Sequence, residues 1–285
     1  MREEAKKKAR RNRFFLQGGI GLGIVVVLVI IAVVIVQLAR PASNAGPKNM
    51  ASDGFLMTST TDYVATPAIP DGGKPKPTKQ PHDGKAHITI YEDLQCPSCQ
   101  QFETANNGQI GQWLDAGTAT LEIHPISFLD RSSMGNRYSS RAASAIACVA
   151  QYAPHKFFSV NNAFYANQPA EGTNGRTDAQ IIATIKKGGA SSSAISQCVK
   201  DERFKGWVKQ TYQRTMTGKT PIPNSNIKQI TGTPTVIVNG KQFDANNTVA
   251  LNDSAGFLNF VKSAVPGWSP DGSGATSTPT ATPAG

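Results

Sequence analysis

The chain has 285 residues, 29 Lys and Arg against 19 Asp and Glu for a net charge of +10, and 39% apolar residues. That composition excludes collagen-like and wholly disordered chains and leaves room for one or two domains. Seven of the cations (Arg2, Lys6, Lys7, Lys8, Arg10, Arg11, Arg13) lie in the first 13 residues against Glu3 and Glu4, so the leader carries half of the net charge. The remainder is only mildly basic, which argues against a nucleic-acid-binding protein.

Residues 1–13 read as a basic leader. Arg13 and Arg40 then bracket 26 uncharged residues, Phe14 to Ala39, with a centre of Val, Ile, Leu and Ala from Ile24 to Val36. A helix of that length spans the ~30 Å hydrocarbon layer with some tilt, so one transmembrane helix is expected over 14–39. A cleaved signal peptide is the rival, with Ser43-Asn44-Ala45 as its small-residue site. Signal peptides normally have a shorter apolar core of about 7–15 residues. The basic flank predicts a single pass through the cell membrane, with the N-terminus cytoplasmic and everything after Arg40 outside it. Disulfides form and persist on that side. Gly19 and Gly23 form a G-x-x-x-G pair, which is more often incidental than a dimerisation face. The glycines of 18–23 lack the strand-turn-helix setting of a nucleotide loop.

Residues 40–84 are rich in Pro, Gly, Ser, Thr and Lys and read as a linker. Phe55-Leu56-Met57 and Tyr63-Val64-Ala65 are candidate edge-strand pieces within it. Residues 85–267 suffice for one sizeable core. His87–Tyr91 alternates as a strand, a helix opens at Cys96 and runs toward Trp113, and Thr118–Ser127 reads as a second strand. A helical block covers about 128–217, with Ala142, Ile146, Val149 and Ala153, then Phe204, Trp207, Val208 and Tyr212, stepping at helical spacing. A strand returns at Thr235–Val238. Asn239-Gly240 supplies a hairpin turn into Lys241–Phe243. The last helix starts near Asn252-Asp253-Ser254, with Phe257, Phe260, Val261 and Ala264 on its buried stripe. Residues 268–285 hold one charge, Asp271, and read as a disordered tail. The order is that of an α/β domain with a helical insertion.

The chain has four cysteines. Cys96-Pro97-Ser98-Cys99 follows the first strand through a polar turn, Glu92-Asp93-Leu94-Gln95. With Cys96 at the N-cap, Pro97 falls at the first helical position, where its missing N–H costs nothing. The helix N-terminus then presents unpaired N–H groups and a partial positive charge to the Cys96 sulfur, which stabilises a thiolate. Cys99 sits one turn further in, in reach of Cys96, as the more buried resolving thiol. A low-pKa thiolate leaves well, so an incoming thiolate attacks at Cys96. A zinc site is disfavoured, because Cys148 and Cys198 are isolated and His82, His87, His124 and His155 show no ligand spacing. No metal and no cofactor is expected. If Cys96 pairs with Cys99, Cys148 and Cys198 remain. They are a structural disulfide stapling two helices, a pair of free buried thiols, or a second redox pair. Glu92 and Asp93 leave two readings open: a solvated turn, or a proton acceptor tuning the cysteines. Gly232-Thr233-Pro234-Thr235 precedes a strand and by itself reads as an ordinary Pro at a strand start.

Together, the run from Tyr91 to Cys99, the helical block, Thr233-Pro234-Thr235 and the terminal helix resemble the DsbA-like thiol–disulfide oxidoreductases of the thioredoxin superfamily, over about Lys85 to Gly267. The anchor and the Cys148/Cys198 pair are most similar to the membrane-anchored actinobacterial type. The resemblance implies a thioredoxin fold with an inserted helical domain. It implies that Cys96 is the exposed catalytic nucleophile and Cys99 its partner. It also implies that Thr233-Pro234 is a cis peptide facing them, with the Thr233 backbone binding an extended substrate. Its implied partners are exported, unfolded or reduced polypeptides and a quinone-linked reoxidase of DsbB or VKOR type. Two departures stand out. Pro97-Ser98 lacks the histidine that makes some members strongly oxidising, and the buried acid expected six residues before the first cysteine is Ile90. The implied function is to introduce disulfides into exported proteins. The alternatives are a reductase or isomerase on the same fold, and a non-enzymatic binding module that keeps the C-x-x-C as a staple.

Overall fold

In the computed structural model, the chain divides into two units, 1–42 and 43–285. The described residues are 26–29 and 31 of the first unit, and 43–217, 222–243 and 250–273 of the second. Residues 26–29 and 31 are helical. The rest of the expected membrane span at 14–39, and the leader at 1–13, lie outside the described residues. Among the described residues no helix is long and apolar enough to cross a membrane.

The second unit runs β1 (Phe55–Met57), β2 (Ala86–Glu92), α1 (Pro97–Asp115), β3 (Ala119–Pro125), α2 (Tyr138–Tyr152), α3 (Phe157–Ala166), α4 (Asp178–Lys187), α5 (Ser193–Lys200), α6 (Lys205–Met216), β4 (Thr235–Val238), β5 (Lys241–Gln242) and α7 (Ser254–Ala264). The sheet order is β1-β3-β2-β4-β5. The central strand β2 pairs in parallel with β3, Ile88 opposite Leu121, and antiparallel with β4, Ile90 opposite Val236. Helix α1 makes the crossover that a parallel pair requires. Helices α2 to α6 are inserted between β3 and β4.

Every residue of β2 is buried, because both faces of the sheet are covered. Side chains alternate across a strand. Ile88 and Ile90 join the main core with Phe102 of α1 and Phe257 of α7, whose rings meet edge-on at 5.1 Å. Tyr91 joins a second, smaller core with Ile126, Ile222, Ile230 and Ile237. The β4–β5 hairpin turns on Asn239 and Gly240 at φ 45° and 82°, the two positive φ values that a tight two-residue turn needs.

The stretch from Ser43 to about Gln80 is not a linker. Met50, Phe55, Met57 and Ile69 are buried, and β1 pairs antiparallel with β3 as an edge strand. Asp53 receives Arg214 Nε at 2.7 Å and Trp207 Nε1 at 2.9 Å from α6. The wrap passes so close to α6 that a Cβ at Gly206 would meet the Ser43 carbonyl at 2.4 Å. Its apolar residues each fill a separate slot, so they show no period in the sequence. The tail also begins later than the composition suggests. Trp268 is buried edge-on against Trp113 and donates from Nε1 to Thr118 O at 2.8 Å, and residues 274–285 lie outside the described ones.

Cys148 of α2 and Cys198 of α5 form a disulfide across 50 residues of sequence. Loop entropy alone makes such a bridge worth about 4 kcal/mol, within a usual range of roughly 2–5. Replacing both cysteines by Ala is expected to lower the unfolding free energy by about 2–5 kcal/mol, read by urea denaturation. A loss below about 0.5 kcal/mol would mean that the bridge does not hold the insertion together.

Candidate active site

The site forms where β2 ends and α1 begins. Cys96 is the N-cap of α1 with extended backbone, and Pro97 occupies the first helical position. The turn before it is held from several sides. Asp93 accepts from Gln95 N at 2.8 Å and from Leu129 N at 2.7 Å, while Cys96 N donates to Asp93 O at 2.9 Å. Gln168, in the insertion, donates from Nε2 to Leu94 O at 3.2 Å and to Cys96 O at 3.0 Å. Gln95 is buried and donates to Ser132 O. Glu92 and Asp93 are fully buried, which removes the solvated-turn reading. The helical insertion closes over the strand end and takes both carboxyls out of water.

Thr233 and Pro234 are brought to the same place from 137 residues away. Their peptide bond is cis, and Cys96 Sγ lies 3.2 Å from Thr233 O. Cys96 and Cys99 are both free thiols. Cys96 is only 7% exposed, less open than the resemblance implies, while Pro97 is exposed and Ser98 half-buried.

The two sulfurs stand in opposite electrostatic surroundings. A hydrogen bond from the Cys99 thiol is the largest influence on Cys96. The Thr233 side chain and the N–H groups of Cys99 and Ser98 add to it, and outweigh burial to hold the Cys96 thiol down at about 6. Cys99 is fully buried, and burial pushes its thiol well above the ordinary value, with the charge of Cys96 adding to the effect. Asp93 is raised to about 6 by burial, despite the two N–H groups it receives.

Beneath Cys99 lies a second feature. Glu92 and Glu103 are 0% and 2% exposed, Glu103 sitting one helical turn after Cys99 on the same face of α1. Asn161 of α3 is buried beside them and Tyr165 closes the pocket. Both Glu92 oxygens, Glu103 Oε1 and both polar atoms of the Asn161 amide have no hydrogen-bond partner in the protein. Burial, and then repulsion by Glu103, push the Glu92 carboxyl well above the usual range. Burial raises Glu103 as well. Two carboxyls buried side by side resist ionising together, which favours a proton shared by the pair beside the buried sulfur. Sequence reasoning named Glu92 but missed Glu103, Asn161 and Gln168. In the run Gln100-Gln101-Phe102-Glu103 the acid looks like part of a solvated helix face. Among the described residues no group of three or more His, Cys, Asp or Glu is placed to hold a metal ion.

The thioredoxin family profile matches residues 81–254. Among curated proteins, the serine/threonine-protein kinase PknE of Mycobacterium tuberculosis is 28% identical over 170 residues, 58% of this chain. The chain spans 28% of that relative's length. Among solved structures, reduced DsbA from Mycobacterium tuberculosis superposes with a TM-score of 0.54 at 23% identity, covering 78% of this chain and 98% of that one. DsbG from the same organism gives 0.53 at 24%, covering 70% and 85%. MdbA from Actinomyces oris, a thiol-disulfide oxidoreductase, gives 0.53 at 20%, covering 75% and 89%. At these identities the likeness is one of fold.

Two measurements test the electrostatics. The thiolate absorbance of the reduced protein, followed against pH, is expected to rise with an inflection near 6 for one sulfur and to be lost in Cys96→Ser; an inflection at the free-thiol value of about 8.5 would refute the arrangement. For the acid pair, a raised carboxyl pKa contributes stability that is present below the unfolded value of 4.5 and lost as pH rises through the folded value. Glu92→Gln is therefore expected to gain stability over the native chain as pH rises from about 4.5 through neutrality. Equal pH dependence of the two chains would mean that the carboxyl is solvated.

Proposed function

The chain belongs to the thioredoxin family, and from that premise we propose that it is a membrane-anchored thiol–disulfide oxidoreductase that donates disulfides to exported polypeptides. The observation that carries the reading is the asymmetry of the two sulfurs: Cys96 held down at about 6 beside the Thr233 carbonyl, Cys99 raised and sealed.

The chemistry follows from that asymmetry. In the oxidised state Cys96 and Cys99 share a disulfide. An extended substrate lies along Thr233, and its thiolate attacks Cys96 Sγ. A substrate–Cys96 bond forms, the Cys96–Cys99 bond breaks, and the electron pair leaves on Cys99. A thiolate in that apolar pocket is costly, and the proton held by Glu92 and Glu103 neutralises it. A second substrate thiolate then attacks the substrate sulfur of the mixed disulfide. The substrate disulfide forms, and Cys96 leaves as a thiolate that is stable at neutral pH. The substrate is oxidised by two electrons and the enzyme is reduced by two. A membrane quinone-linked oxidoreductase of DsbB or VKOR type restores the disulfide. The basic leader and the apolar run at 14–39 support anchorage with the catalytic unit outside the cytoplasm.

A depressed Cys96 pKa favours the dithiol form and makes the disulfide oxidising. Equilibration of the full chain in detergent with glutathione buffers, with acid quenching and mapping of labelled thiols, is expected to show a reversible Cys96/Cys99 couple nearer about −120 than about −270 mV, with Cys148–Cys198 closed. A couple near −270 mV would point to a reductase, and absence of a reversible couple to a structural staple. Reduction takes up one proton where Cys96 stays a thiolate. The potential is therefore expected to fall by about 30 mV per pH unit above pH 6 and about 60 mV per unit below it. Cys96→Ser is expected to abolish oxidation of a reduced test protein, and Cys99→Ser to accumulate the mixed disulfide; an active Cys96→Ser protein sinks the assignment.

A further inference from the structure

The chain enters the catalytic unit at one corner, and that corner is basic. Ser43, the first described residue of the unit, runs against the start of α6, where a Cβ at Gly206 would meet the Ser43 carbonyl at 2.4 Å and Asn44 Oδ1 at 2.8 Å. Lys48 N donates to Gln151 Oε1 at 2.8 Å, which brings the same segment to the last turn of α2. Arg203, in the turn joining α5 to α6, donates to the Tyr152 hydroxyl and lies 5.9 Å from the centre of that ring. The start of the wrap, the end of α2 and the start of α6 therefore meet at one place.

Five cations gather there, Lys48, Lys200, Arg203, Lys205 and Lys209, all exposed. Lys205 and Lys209 stand four residues apart on α6 and so share a face. The acids beside them are Asp201 and Glu202, and both are engaged: Asp201 pairs with Arg203 at 3.7 Å and Glu202 with Arg137 at 3.2 Å. None of the four lysines has an ion-pair partner among the described residues. Five cations against two acids leave the corner with a charge of +3. Tyr152 is 37% exposed beside them, an aromatic with a polar tip of the kind that sits at lipid–water boundaries.

The proposed membrane span ends at Ala39, and residues 40–42 alone separate it from Ser43. Four peptide steps reach at most about 14 Å. An anchored chain therefore keeps this corner within reach of the lipid headgroups. We propose that the corner docks on an anionic lipid surface, with Lys48, Lys200, Lys205 and Lys209 set against headgroup phosphates and Tyr152 at the boundary. The inference rests on the anchor. Each Lys or Arg brought to such a surface favours contact about fivefold, so a cluster acts where a single lysine would not. Helix α2 turns the contact into a position for the chemistry. Its first turn lies beside the catalytic turn, Ser139 Oγ donating to Gln95 Oε1 at 3.3 Å, and its 15 residues span about 22 Å. The catalytic turn thus stands about 20 Å from the docked corner.

Acylation of lysines by an acetyl N-hydroxysuccinimide ester, mapped by mass spectrometry, reads the contact in the full chain reconstituted into lipid nanodiscs. Discs of phosphatidylcholine are compared with discs containing about a third phosphatidylglycerol. Lys48, Lys205 and Lys209 are expected to react about fivefold more slowly in the anionic discs, and the difference is expected to vanish in about 0.5 M salt. Lys241, on β5 at the far edge of the sheet from β1, and Lys262, on α7, are expected to react alike in both. Lys205→Gln/Lys209→Gln is expected to raise Lys48 reactivity in anionic discs about two- to fivefold. Both side chains are exposed, so the variant does not depend on core packing. A chain that inserts into both discs with equal reactivity at Lys48, Lys205 and Lys209 overturns this inference and leaves the anchor standing. Equal slowing at Lys241 and Lys262 overturns it as well. A chain that inserts into neither disc overturns the anchor and the inference with it.

Discussion

The first turn of α1 sets two sulfurs one turn apart in unlike surroundings, and the rest of the site is arranged around that difference. The Cys99 thiol, the Thr233 side chain and the N–H groups of the helix start all favour the Cys96 thiolate. Cys99, three residues on, is fully buried, and burial, Cys96 and the Glu92 carboxyl all disfavour its thiolate. The geometry requires the turn to stay rigid, because the donors act over hydrogen-bond distances. Asp93, Gln95 and Gln168 supply that rigidity by tying its backbone to the β3–α2 loop and to the insertion. Ser98 adds no charge, so the thiolate rests on hydrogen bonds rather than on a neighbouring cation. Such stabilisation is short-ranged and is not screened by salt as a surface ion pair is.

The buried acids complete the electrostatic scheme. In the proposed cycle a thiolate expelled onto Cys99 is the least stable species, in a pocket where charge is disfavoured. A carboxyl pair kept from ionising together is a proton store placed beside that sulfur. Ile90 occupies the position where the resemblance leads one to expect the acid, and its side chain joins the apolar core. Glu92, two residues later on the same face of β2, takes up the place next to Cys99, and Glu103 joins it from α1.

How much of this was visible in the sequence depends on the range of the determinants. The Cys96–Cys99 turn is local: a strand, a polar turn, Pro at the first helical position and a helix declare themselves within a dozen residues. The order of the elements from β2 to α7 follows from local periodicity as well. Thr233 and Pro234 are non-local, and only the resemblance connected them with Cys96. Glu103 and Asn161 were hidden, since each is polar on a helix and α3 buries them only by packing across α1. The wrap from Ser43 was misread for the opposite reason. The run Phe55–Met57 offered an edge strand, but Met50 and Ile69 stand singly among polar residues, prolines and glycines, and no repeat announces that each fills a slot in the core. Trp268 lies just past the end of α7, where composition turns low in apolar residues, and its indole N–H bond to Thr118 O leaves no trace in the neighbouring sequence.

The wrap and the second core then bear on the chemistry by an indirect route. Thr233 must hold its carbonyl and side chain against Cys96, yet it sits at the end of a long excursion from α6. Ile222 and Ile230 anchor that excursion in the small core under Tyr91 and Ile237, and Ile230 N donates to Thr215 O at 3.0 Å. The end of α6 is in turn fixed to the wrap by the bidentate Arg214–Asp53 pair. Asp53 is almost fully buried, so removing either partner leaves an unpaired charge in the interior, which is far costlier than losing a surface pair. A chain of contacts therefore runs from the N-terminal wrap, through α6 and the second core, to the residue that sets the Cys96 thiolate. The segment that composition marks as a spacer is one of the supports of the active site.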